Sequence, residues 1–261
     1  MSFADLGFGN IGDQLWVILF LSTRIAAAMM AAPLFGGKTV PVPVRILLSV
    51  VIGFFVAVWL PIPPTPEPFS SAAFMALLQE AVIGLALGFV LQIGFIVPLV
   101  AGEQISGTMG LALAVSIDPN SGLQSGAVGQ YFSVLLTLIF LTIGAHLLWF
   151  ELLIESYRMF PAGNAIFGAA HADNLVQFAG LALATAAAIA LPVVLVLLLV
   201  QLTTGVISRS APSLNLFALG LPAGLLAGLA TLIITLPILF EQFEDLSGVM
   251  IERAEQLVQL P

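Results

Sequence analysis

The chain has 261 residues, of which 60% are hydrophobic and only 8% charged, with a mean hydropathy of +1.15. A soluble globule needs a polar exterior that this composition cannot supply, so an integral membrane or membrane-complex protein is expected. Its net charge of -8 argues against nucleic acid as a partner, and the absence of cysteine excludes disulfides, thiolate metal sites and thiol catalysis.

Asp5 and Asp13 lie near the N-terminus, where a secretory signal would carry basic residues, so the N-terminus is expected to be retained. Six apolar segments follow, at 15–35, 44–60, 74–100, 128–150, 175–204 and 214–240. A bilayer core takes about 20 helical residues, so the first, second and fourth fit one crossing and the others run long. Pro98, Pro192, Pro222 and Pro237 lie inside or near the ends of the long runs and predict kinked or hairpin helices buried against protein. Trp16, Trp59 and Trp149 sit at segment ends, as interface-seeking indoles do. Between the second and third segments, PIPPTPEP at 61–68 predicts a stiff extended strap, or a plain helix stop.

Ionised side chains are costly against lipid, so Arg24, Glu80 and Glu103 should face protein, water or a partner. Arg24 could pair with one of the two carboxylates; proton transport is the other reading. Arg209 is the charge that joins the two longest apolar runs, at the tip of a helical hairpin, and is expected to be buried with the others. The stretch from Met109 to Ile117 is apolar, too short to span, and ended by Asp118-Pro119-Asn120. It reads as a re-entrant or buried loop within 107–119, or as a surface loop anchored by its leucines.

Past the hairpin tip, Gly220, Gly224 and Gly228 recur every fourth residue, which bares one helix face for close approach of another backbone. After Phe240 the pattern becomes amphipathic: Phe243, Leu246, Met250, Ala254 and Leu257 stand opposite Glu241, Asp245, Glu252 and Glu255. The expected fold is all-α: one membrane domain over 1–261, with an N-terminal half at 15–127, helical hairpins at 128–240 and an amphipathic tail at 241–261. Its six apolar segments would be long, kinked or hairpin helices.

No Walker loop, HExxH or GxSxG is present, and no acids cluster near His146 or His171, so no enzyme, metal or cofactor is expected. Three classes remain: a subunit of a protein-conducting gate, an ion or small-solute transporter, and a scaffold. A transporter would be favoured by an inverted repeat and a convergent mid-membrane polar site, and no clear repeat is seen.

One further pattern bears on that choice. Arg209, Ala211-Pro212, Leu214-Asn215-Leu216-Phe217 and Gly220-Leu221-Pro222 with its spaced glycines stand in a fixed order, with AGEQISGTMGLALAVSIDP at 101–119 and Gly144-Ala145-His146 upstream. Together they resemble the FliR family of flagellar export-gate proteins, whose counterparts serve injectisomes, and the resemblance covers most of the chain. It implies an inner-membrane subunit of the flagellar basal body. Its partners would be FliP-like and FliQ-like subunits beside FlhB-like and FlhA-like components, and its cargo unfolded export substrates. It also implies that Met109, Leu111, Leu113, Val115 and Ile117 form an apolar gate loop. Gly102, Glu103, Gly107 and Pro119 would support that loop. Leu113 stands where relatives often carry phenylalanine, so the seal here would be aliphatic.

Overall fold

A computed structural model describes residues 11–37, 40–61, 63–111, 126–163, 167–210 and 216–259. Among them the chain forms eight helices and no strand: α1 (Ile11–Ala31), α2 (Pro33–Gly36), α3 (Val42–Trp59), α4 (Ser71–Thr108), α5 (Ala127–Thr142), α6 (Ala145–Met159), α7 (Ala169–Ser210) and α8 (Leu216–Gln259). This is what an apolar chain must do, because a helix satisfies its own backbone polar groups without water. Five of the helices are long and apolar enough to cross a membrane, six if α5 and α6 count as one broken span.

Local chemistry sets the helix ends. The Ser70 hydroxyl accepts the Ala73 N–H at 3.0 Å and so caps the start of α4. At the other end Gly110 takes a φ of +83°, with Leu111 N–H donating to the Ser106 carbonyl and Gly110 N–H to that of Gly107. That is a Schellman stop, and it needs the left-handed conformation that glycine adopts without strain. Residues 63–67 are neither helix nor strand, and the Trp16 indole N–H holds this segment to α1 through the Pro66 carbonyl at 2.9 Å.

Two expectations about the long helices change. Pro222 separates no hairpin arms but lies inside α8, as Pro98 and Pro192 lie inside α4 and α7. Each of these prolines costs its helix one backbone hydrogen bond, and the helix runs on through it. No boundary occurs at Phe240 either: the amphipathic tail continues α8. Its predicted faces hold, with Phe243, Met250 and Ala254 buried and Glu241, Asp245, Glu252 and Glu255 exposed.

The chain divides into two compact units, the first made of Met1–Ile93, Ala145–Phe178 and Met250–Pro261, the second of Gly94–Gly144 and Ala179–Val249. The sequence halves at 15–127 and 128–240 do not correspond to these units, because α4, α7 and α8 each contribute to both. Helices of 38 to 44 residues rise roughly 57 to 66 Å, about twice the depth of one small core, so their two ends meet different neighbours. In the first unit Phe20, Leu21, Ile25, Ile83, Leu87, Leu153 and Phe178 form the core; in the second, Val97, Ile105, Phe132, Leu136, Phe140, Val193 and Leu197.

Candidate functional site

In the first unit, α1 turns Phe20, Leu21, Arg24, Ile25 and Ala28 inward on one face. Arg24 is therefore carried into the core with no exposure, and Glu80 of α4 meets it there, equally buried. The guanidinium grips the carboxylate with two bonds, Nε to Oε2 at 2.8 Å and Nη2 to Oε1 at 3.0 Å. Nη1 also donates to the Ser156 hydroxyl at 3.0 Å and Nη2 to the Phe160 carbonyl at 2.9 Å. Glu80 Oε1 also accepts the Gly163 N–H at 3.0 Å. The Tyr157 ring lies 4.0 Å below the guanidinium carbon, and its hydroxyl donates to the Leu21 carbonyl at 2.5 Å. A buried ion pair persists when it is bidentate and its other polar groups find partners; here the grip is bidentate and four of the five guanidinium N–H groups are bonded.

The close seating of α1 on α4 makes this geometry possible. A Cβ at Gly84 would fall on the carbonyl of Arg24 itself, and one at Gly88 on that of Ala28. Only residues without side chains let the two backbones approach so far. Trp149, read from sequence as an interface residue, is instead fully buried: it stacks on Phe35 with ring centres 5.9 Å apart and donates to the Leu87 carbonyl at 3.2 Å. The indole has a donor partner inside the protein, so it has no need of the headgroup region. Trp59 alone of the three stands well exposed, at 73%, while Trp16 is half-buried.

In the second unit, Gly102 of α4 lies against the backbone of Gly129 on α5, so these helices also touch without side chains between them. The next residue, the exposed Glu103, accepts the N–H of Gly126, the N-cap of α5, with its carboxylate. An anionic group at a helix N-terminus is favourably placed. Beyond Ser106, the end of α4 docks on the other two long helices. The Gln201 side-chain amide of α7 donates to the Thr108 carbonyl at 2.9 Å. Met109, 2% exposed, occupies the bare face of α8, where a Cβ at Gly228 would meet its Cε, Cγ and Sδ at 2.7, 2.8 and 2.9 Å. A Cβ at Gly224 would lie 3.6 Å from the Met109 carbonyl oxygen.

Of the other residues singled out, Leu111 is half-buried, while Leu113, Val115, Ile117 and Pro119 lie outside the described residues. Gly107 and Gly220 have no atom near where a Cβ would stand, so neither packs against a neighbour within this chain. Arg209, expected to be buried, is exposed in the last turn of α7. A cation there complements the free carbonyls of a helix C-terminus, so burial is not required. Ser156, Tyr157, Gly129 and Gln201 were not anticipated. The first two share a helix face with Trp149 and Leu153, which is the one sequence signal that could have found them.

With this geometry in view, comparison with known proteins identifies the family: residues 15–250 match the model of the bacterial export proteins, family 1. The chain belongs to that family. Relatives named flagellar biosynthetic protein FliR include one from Pectobacterium carotovorum, 36% identical with 86% of each chain covered. That of Escherichia coli K12 is 33% identical over 83% of this chain and 82% of its own length. The Bacillus subtilis relative is 28% identical but covers 96% of this chain and 98% of itself. The protein is thus a membrane-spanning member of the flagellar export family.

Proposed function

We propose that the protein is a structural and gating subunit of the flagellar protein-export apparatus, set in the bacterial inner membrane within the basal body. It assembles with FliP-like and FliQ-like subunits, beside FlhB-like and FlhA-like components, around the pore that unfolded export substrates enter. In this reading it performs no catalysis and uses no cofactor. Met109, Leu111, Leu113, Val115 and Ile117 form an aliphatic seal that excludes water yet yields to a passing chain, since such side chains change rotamer cheaply. Gly102 and Glu103 hold its neck, and Gly107 and Pro119 allow its turns.

The observation that carries this reading is the length of α7 along which apolar side chains are exposed. Large apolar side chains stand exposed along it from Val176 through Leu183, Leu191, Leu199 and Leu202 to Ile207, with no charge between Asp173 and Arg209. That stretch rises roughly 46 Å, against a hydrocarbon core of about 30 Å. Even a tilt of about 40°, the upper end of the usual range, leaves it near 36 Å. Lipid covers part of the stretch; neighbouring chains must cover the rest. A multisubunit pore supplies such neighbours, whereas a self-contained transporter would bury the excess within itself. An injectisome subunit would meet the same requirement, and the naming of the relatives as flagellar biosynthetic proteins favours the flagellum.

Purification from native membranes tests the assembly: FliP-like and FliQ-like chains should remain bound, and a lone stable dimer would point to a transporter instead. Replacing Leu111, Leu113 and Val115 by serine tests the seal. Cells retaining assembled complex should then leak small ions and solutes, and a tight membrane with normal assembly would remove these residues from the gate.

A further inference from the structure

Among the contacts of the second unit, the docking of the α4 end differs in kind from its neighbours. Met109 fills a notch left open by the bare Gly228, with Gly224 alongside at ordinary contact distance from its carbonyl, and its thioether offers no strong hydrogen bond. The unbranched thioether packs on bare backbone, an apolar and geometrically undemanding contact. One polar bond accompanies it, from Gln201 to the Thr108 carbonyl, and Gln201 is exposed. Thr108 is the last residue of α4, so its carbonyl is one that no helical N–H claims and that another donor can satisfy. Separating these groups therefore strands no buried charge or amide. The Schellman stop at Gly110 keeps the end of α4 intact whether docked or not, and Leu221, about one turn before Gly224 on α8, lies beside Gly110 to guide its return.

We propose that Met109 in the Gly224–Gly228 notch is a releasable latch: the end of α4 is held on α8 at rest and leaves the notch during export. The proposal rests on the export reading above and deepens it by naming the contact that must break. Its geometry admits a direct test, since the chain has no cysteine of its own. A Cβ at Gly228 lies 2.8 Å from Met109 Cγ, the position that the sulfur introduced by Met109→Cys would take. In a disulfide each sulfur stands about 3 Å from the opposite Cβ, so the pair Met109→Cys with Gly228→Cys is within bonding reach.

In native membranes carrying the double variant, mild oxidation should crosslink the pair almost completely at rest. Export should fall to the level of a strain lacking the protein and return on reduction, while each single variant is indifferent to oxidant. No crosslink at rest, or complete crosslinking with export unchanged, overturns the latch. The two readings fail separately, because the crosslink is scored on the protein alone. Normal export in a strain lacking the protein would refute the export reading, whatever the crosslink. Gly228→Ala supplies a second measurement without a covalent bond. Alanine is the better helix residue, so α8 is preserved, while its methyl displaces the Met109 side chain from Cγ outward. A several-fold rise in small-solute leak at unchanged protein level is expected; an unchanged leak counts against the latch.

Discussion

The first unit buries the ionisable groups Arg24, Glu80 and His171, whereas the buried polar side chains of the second, among the described residues, are the hydroxyls of Ser106, Thr235 and Ser247. The contrast extends to what those groups do. Arg24 and Glu80 tie together α1, α4, α6 and the turn at Gly163, so that no element can shift without stranding a charge. Thr235 and Ser247 bond only carbonyls of their own helix and join nothing to anything. Contacts between elements in the second unit are instead largely apolar, as between Phe95 and Phe140 or Phe132 and Phe243. Apolar contacts can be remade after a shift at modest cost, while a separated buried ion pair cannot. The first unit has the chemistry of a fixed frame and the second that of a part able to rearrange.

The largest test of that contrast removes the charge. Arg24→Ala or Glu80→Ala alone should cost about 3–5 kcal/mol, because each leaves its partner buried and unpaired. Lost protein level and a lower unfolding midpoint in detergent would report it. Arg24→Met with Glu80→Leu should recover most of the loss, and an additive double-mutant cycle would show that the two residues are independent. A smaller effect is expected from comparing one methyl in each unit. Gly84→Ala places its Cβ on the Arg24 carbonyl, a backbone atom that cannot rotate away, and should cost about 1–3 kcal/mol. Gly228→Ala meets only side-chain atoms of Met109, from Cγ to Cε, which can change rotamer, and should cost less than Gly84→Ala. Equal losses at both glycines would erase the distinction between frame and movable part. The smallest effect belongs to Arg209→Gln, which should alter stability by less than about 0.5 kcal/mol because the side chain is exposed and unpaired with any acid among the described residues. A large loss there would mean that the cation is buried against a partner in the assembled complex.

Composition and apolar periodicity were enough to determine an all-α membrane chain, its principal segments, and the buried and solvated faces of the last helix, since these depend on neighbours three and four residues away. The order of motifs around Arg209 and at 101–119 was enough to point to the export family. Helix continuity was not legible. Pro222 and the change of pattern after Phe240 look like boundaries locally, yet one helix runs through both, and beyond Phe240 it is seated by the buried Phe243, Leu246 and Met250. Nor could sequence choose a partner for Arg24, since Glu80 lies 56 positions away and Ser156 132 positions away. Spacing along a chain carries no information about which faces meet across it. Only the tertiary structure decided that pairing, drew Trp149 inward, left Arg209 outside, and filled the glycine face of α8 with Met109, because each depends on how closely two distant backbones approach.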